Sequence, residues 1–96
     1  MIYDDEQISE VWELLDNTIN ARVKRDAKPF LQRLRFISCS LSGRVDPYSI
    51  EKLNMAISSA EQASGQVSNK EHWAQNAYQG WHLFKYNVNR TYGDEE

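Results

Sequence analysis

Two histidines, a single cysteine and eleven lysines and arginines are the groups in this chain best suited to chemistry, and their spacing limits what they can do. His72 and His82 lie ten residues apart. On one helix they project roughly 80° apart, at ~100° per residue. A helical metal pair needs a spacing of three or four, so no metal site is expected. Cys39 has Arg35 four residues before it, and a nearby cation lowers a thiol pKa. A small half-buried filler is the simpler reading. Ser38, Ser40, Ser42, Ser58 and Ser59 come without a glycine-rich elbow or oxyanion loop. No phosphate-cradling glycine motif is present. The expectation is a protein that is not an enzyme and carries no cofactor.

The charges are segregated. Asp4, Asp5, Glu6, Glu10, Glu13 and Asp16 precede any base. Arg22, Lys24, Arg25, Lys28, Arg33, Arg35 and Arg44 then follow with only Asp26 among them. Those seven cations could contact phosphates, whose neutralisation drives non-specific nucleic-acid binding. Against this stand a net charge of −3 and the absence of a helix-turn-helix signature. Arg22, Arg25, Lys28 and Arg35 also give the chain a compositional resemblance to all-helical chorismate mutases, which clamp a dicarboxylate with several cations. No family motif accompanies that composition, so the reading is set aside.

Six of the eleven Phe, Trp and Tyr residues fall in the last third. Trp73, Trp81 and Phe84 share one helical face, the expected core. Tyr78, His82 and Tyr86 share another at four-residue spacing, with Gln75, Gln79 and Lys85 beside them. Tyrosine offers large contact area, few rotors and a polar tip, which suits interfaces. Either this second stripe is covered by a neighbouring segment of the same chain, or it meets a partner.

Four helices must position these groups. Ile8, Val11, Trp12, Leu15, Ile19 and Val23 repeat at helical spacing, which predicts a helix over 5–24 with Lys24 and Arg25 at its cation-favouring end. Pro29 at a first turn and Gly43 as a C′ residue frame a second helix over 27–42, with Phe30, Leu34, Ile37 and Leu41 facing the core. Phe36 and Cys39 point the other way. A sandwiched central helix is the expected explanation, and an exposed Phe36 the alternative. Asp46-Pro47 starts a third helix over 47–64, whose buried side is Ile50, Leu53, Ala56, Ile57, Ala60 and Ala63. Ser68 and Glu71 form a capping-box pattern ahead of a fourth helix over 69–89. Gly80 inside it costs about 1 kcal/mol relative to alanine, which points to a tight helix crossing.

Ninety-six residues with 41% hydrophobic content fit one all-α domain, 1–96, with an acidic frayed tail over 90–96. No apolar run reaches the ~20 residues of a membrane span, and the start carries no apolar signal core. One cysteine fits a reducing compartment. The sequence therefore predicts a soluble, cytoplasmic protein-binding module: an adaptor, an inhibitor or an accessory subunit. Its contacts are Tyr78, His82, Tyr86 and Lys85, extended by Phe36 and Arg35. Size alone adds the expectation of a modulator carried by a phage or other mobile element. Nucleic-acid association through the basic segment is the alternative, and a homodimer through the last helix is open.

Overall fold

A computed structural model describes residues 5–92 as four α-helices: α1 Asp5–Ile19, α2 Lys24–Leu41, α3 Pro47–Ala63 and α4 Lys70–Tyr92. Asp4 and the acidic tail beyond Tyr92 lie outside the described residues. The four helices run up and down as an elongated bundle, 44 Å long and 22 by 20 Å across. α1 and α3 touch each other across the short diagonal, and α2 and α4 lie on opposite outer sides without touching. No described helix is long and apolar enough to cross a membrane.

The α3–α4 hairpin is the most extensive packing in the molecule. Its register is set by small residues. A Cβ added at Gly80 would stand 3.0 Å from the Ala56 nitrogen and from the Lys52 carbonyl oxygen. Ala56, Ala60, Ala63 and Ala77 are fully buried along the same seam, and Phe84 and Trp81 fill the space the alanines leave. The tight crossing expected from Gly80 is thus present. At the open end, the buried Asn87 donates to Ser49 Oγ at 2.6 Å and to Asp46 at 3.3 Å. Asp46 itself caps α3, accepting from the Ser49 amide at 3.0 Å.

The helix ends depart from the expected bounds, for reasons visible in the hydrogen bonds. α1 stops at Ile19 instead of Lys24. Thr18 Oγ1 turns back to the Leu14 carbonyl at 2.8 Å, and Asn20 bonds to Asp16 at 3.2 Å. The carbonyls beyond are met from outside the helix, that of Ile19 by Lys70 and that of Ala21 by the Gly65 amide. Val23, expected on the α1 stripe, is exposed and becomes the N-cap of α2. α2 then begins one turn before Pro29, which sits inside the helix. Gly43 does not adopt a left-handed C′ conformation; among the described residues only Gly65 has positive φ, at 78°. There Gly65 donates its amide to the Ala21 carbonyl at 3.1 Å. The Ser68–Glu71 capping box does not form, and the chain enters α4 one residue later, with the Asn69 carbonyl accepting from Trp73.

Lysine ammonium groups close the other end of the bundle. Lys24 Nζ donates to the carbonyls of Glu61 at 2.9 Å and Ser64 at 3.1 Å. Lys70 Nζ donates to the carbonyls of Ala63 at 2.7 Å, Gly65 at 3.0 Å and Ile19. These are the orphan acceptors of α1 and α3, at the negative ends of both helix dipoles. Lys24 was expected to serve the C-terminus of its own helix; it serves that of α3.

Two stability measurements check this account. Gly80→Ala gains about 1 kcal/mol of helix propensity but forces backbone apart at a packed crossing, at a cost of about 1–3 kcal/mol. Urea unfolding is expected to show a net loss, the reverse of what alanine does in an open helix. Lys70→Met keeps the apolar stem and removes the charged donor. The expected loss is about 2 kcal/mol, against less than ~0.5 kcal/mol for the same change at exposed Lys85.

Candidate interaction face on α4

The second aromatic stripe divides once it is placed in the fold. Tyr78 belongs to the body of the bundle. Its ring lies 5.3 Å from that of Trp12, and its hydroxyl donates to Asp16 at 3.2 Å. Burial, and then the adjacent Asp16 carboxylate, push its phenol pKa up. Trp12, expected in the α1 core stripe, stands at the stripe's edge with 38% of its surface exposed. It bridges α1 to α4, with ring centroids 5.9 Å from Trp81 and 6.5 Å from His82. His82 is exposed beyond it. Tyr86 is the most exposed large hydrophobic side chain described, at 67%, with the Arg90 guanidinium 5.8 Å from its ring.

A groove runs along each flank of α4. One is lined by Ile8, Trp12, Glu13, Trp81, His82 and Lys85, the other by Asp46, Tyr48, Leu83, Tyr86, Asn87 and Arg90. Tyr48, 49% exposed, therefore sits across a groove from Tyr86 and was missed by reading the helices separately. Between the grooves is a ridge on which His72, Gln75, Gln79, His82, Tyr86 and Asn89 are all exposed.

That ridge carries a signal the sequence contained. From His72 to Phe84 the chain has no Asp, Glu, Lys or Arg, although charged residues are 26% of the whole. The interior side of α4 needs no charge. The exposed side ordinarily carries it, because solvated faces of surface helices are rich in Lys and Glu. Charge depletion with an exposed tyrosine is the composition of an interface core.

Phe36 and Arg35 are not part of this surface. They lie on α2, which does not touch α4. Phe36 is 60% exposed, so the sandwich expected to cover it is absent. α1 and α3 both pack on the side of α2 that carries Leu31, Leu34 and Ser38, leaving the opposite side to solvent. That buried sector is turned by roughly 40° from the expected one; Leu31 is buried and Phe30 only partly so. Arg33 lies 5.4 Å from the Phe36 ring and covers part of it. Cys39 is free and exposed, not a half-buried filler.

Several cations of the basic segment are occupied within the molecule. Arg33 holds Glu10 in a two-pronged bond at 2.7 and 3.1 Å, which keeps the Glu10 carboxyl below its usual range. Arg35 pairs with Glu61 at 2.7 Å, and Lys24 caps α3. Arg22, Arg25 and Lys28 are exposed at the lysine-closed end, and Arg44 is exposed at the other end of α2. No group of three or more His, Cys, Asp or Glu residues that could hold a metal occurs among the described residues.

Comparison with known proteins returns no matching family, no similar curated protein and no similar solved structure.

Tyr78 and Tyr86 should therefore respond differently to mutation. Tyr78→Phe keeps the ring on Trp12 and loses the bond to Asp16, for an expected loss of about 0.5–1 kcal/mol in urea unfolding. Tyr86→Ala is expected to stay within about 0.5 kcal/mol of the native protein. Because the folded phenol of Tyr78 titrates above the free value of about 10, its contribution is complete below that pH. It is lost as pH rises through the higher folded value. Absorbance titration of the native protein against Tyr78→Phe reads this directly.

Proposed function

We propose that this chain is a small non-catalytic protein-binding module, an adaptor, inhibitor or accessory subunit in kind, and that it engages its partner through the outer ridge of α4. The observation that carries the proposal is the charge-free stretch 72–84 presenting an exposed face that continues into Tyr86. His82 and Tyr86 form the contact core. Lys85, Trp12 and Tyr48 line its flanks and can act as the rim. Tyr78 supports the face from within by fastening α4 to α1, so its role is to position rather than to touch.

The placement of reactive groups supports a binding role over catalysis. Cys39 and the two histidines lie on helices that share no contact, so no thiol–imidazole pair can form between them. A free, exposed thiol also suits a reducing, cytoplasmic setting. Nucleic acid is the weaker reading, because Lys24, Arg33 and Arg35 already hold intramolecular acceptors.

The test compares two surface changes on the immobilised protein. Tyr86→Arg combined with His82→Glu is expected to abolish capture of bound protein while leaving the thermal melt unchanged. Phe36→Ala, on the remote side of α2, is expected to leave capture intact. Retention of every partner by the double variant would falsify the proposed face.

A further inference from the structure

The exposed tyrosines of the described residues, Tyr48 on α3 and Tyr86 on α4, line the same groove. Half-buried Leu83 and buried Asn87 lie between them, with Asp46 and Arg90 at the bundle end. The groove encloses about 450 Å³. Sites of roughly 300–1,000 Å³ hold a small ligand or a few side chains.

Each tyrosine ring carries a cation. The Arg90 guanidinium stands 5.8 Å from the Tyr86 ring, and the Lys52 ammonium 5.1 Å from the Tyr48 ring. Arg90 is also held from behind. It donates to Asn87 Oδ1 at 3.3 Å, and Asn87 is fixed in turn by Ser49 and Asp46. The guanidinium is therefore positioned beside the groove before any ligand arrives. Arg33 and Arg35 each close on a carboxylate at 2.7 Å, whereas neither Arg90 nor Lys52 forms an ion pair among the described residues. Asp46 is the one carboxylate lining the groove, and it is turned inward. It accepts from the Ser49 amide, the Ser49 hydroxyl and Asn87.

The neighbouring grooves have a different electrostatic character. On the other flank of α4, Glu13 and Lys85 line one groove together, so neither sign prevails. The groove along α1 is lined by Glu6, Glu10 and Glu13. Glu51 of α3 lines the groove on the α2 side. Positive charge that is positioned, stacked on aromatic rings and left without a counter-ion is thus a property of the Tyr48–Tyr86 groove.

We propose that this groove takes an acidic segment of the partner protein. An Asp or Glu carboxylate of that segment meets Arg90, and an adjacent apolar side chain sits between Tyr48 and Tyr86 over Leu83. The proposal rests on the binding role given to the α4 ridge and supplies the chemistry of its partner. A guanidinium matches a carboxylate with two parallel hydrogen bonds. Tyrosine and arginine are also the residue types that carry most of the energy of protein interfaces. Phosphate chains are held by many cations along their length. Two cations beside a half-apolar slot instead fit one carboxylate next to one apolar residue. Lys52, at the α3 edge, attracts a second acidic group of the same segment.

An array of short immobilised peptides tests the proposal. In one set Asp or Glu alternates with Leu, Met, Phe, Trp or Tyr. A second set carries Asn or Gln in place of the acids, and a third carries Lys. Labelled native protein is expected to bind the acidic set and to discriminate against the amide set. Arg90→Gln is expected to weaken acidic binding roughly tenfold, and Lys52→Gln by a smaller factor. Arg90→Glu combined with Lys52→Glu is expected to move binding to the lysine set. Arg90 also supports Asn87, so thermal melts accompany its variants. Lys52, whose ammonium contacts Tyr48 and the Met55 sulfur, gives a reading independent of that buried network. Equal binding of acidic and amide peptides, or none, overturns the proposal. So does acidic binding that survives both Arg90→Gln and Lys52→Gln. Oligothymidylate that binds more tightly than any acidic peptide, and is released by the same variants, overturns it in favour of nucleic acid. If the acidic preference is absent while Tyr86→Arg with His82→Glu loses a captured partner, the acidic segment is wrong and the ridge is right. If neither the array nor that capture responds, both fail.

Discussion

The close approach of α4 to α3 at Gly80 governs the rest of the molecule. With no side chain at that point, the α4 backbone lies against Ala56 and Lys52. Once Gly80 is fixed towards α3, every other α4 residue has its direction set by the helical turn of ~100° per residue. Phe84, Ala77 and Val88 fall into the core, and Trp81 beside them. Tyr78 turns to α1, where Trp12 and Asp16 receive it. His82 and Tyr86 are left pointing outward. The outward placement of the ridge proposed for binding is thus a geometrical consequence of a glycine packed on the opposite side of the helix. A residue with a side chain at that position would shift or tilt α4 and alter the relation between Trp12 and the ridge.

The second organising device is electrostatic, and it explains why so much positive charge in a net-acidic chain does not form one surface. α1 and α3 end close together at one end of the bundle, and their last carbonyls have no intrahelical donors. A glycine-based cap satisfies such carbonyls with backbone amides. Here Lys24 and Lys70 reach across and satisfy carbonyls from both helices. Each ammonium serves several acceptors: Lys24 ties α2 to the end of α3, and Lys70 ties α4 to the ends of both α3 and α1. Arg33 and Arg35 do similar work at the surface, joining α2 to α1 and to α3. These two ion pairs are solvent-exposed and contribute little stability individually. Their larger effect is to neutralise cations that would otherwise repel one another along α2.

The contrast between what the chain made legible and what it did not follows from the same physics. Helical periodicity located four helices, because the amphipathic repeat is written in each segment independently. Asp46-Pro47 set the start of α3 by local chemistry alone. Gly80 was readable as a crossing, since a glycine in mid-helix is unfavourable unless something lies against it. Ends decided by non-local partners were misjudged. α1 stops at Ile19, whose carbonyl is taken by Lys70, and no property of residues 19–24 announces a lysine fifty residues away. Periodicity gives the angle of a side chain and says nothing of which neighbour occupies it. Phe36 and Tyr78 were therefore interchanged in kind: the first is exposed and the second is anchored.

Charge absence proves more informative than aromatic content about the outer face of α4. Aromatic rings at four-residue spacing occur wherever a helix crosses a boundary between core and solvent, and Tyr78 is such a case. Solvated helical faces are kept apart from other proteins by Lys and Glu, whose desolvation is costly. A face with neither sign of charge has lost that protection. α1 shows the ordinary condition on the same molecule, with Glu6, Glu10 and Glu13 along one exposed side and Arg33 drawn to it. α4 lacks such a row for three turns, and its charged residues, Lys70 and Glu71 at the start and Lys85 and Arg90 towards the end, flank that gap. The uncharged middle of α4 can therefore be covered without stripping water from a charge, which the glutamate row of α1 does not allow.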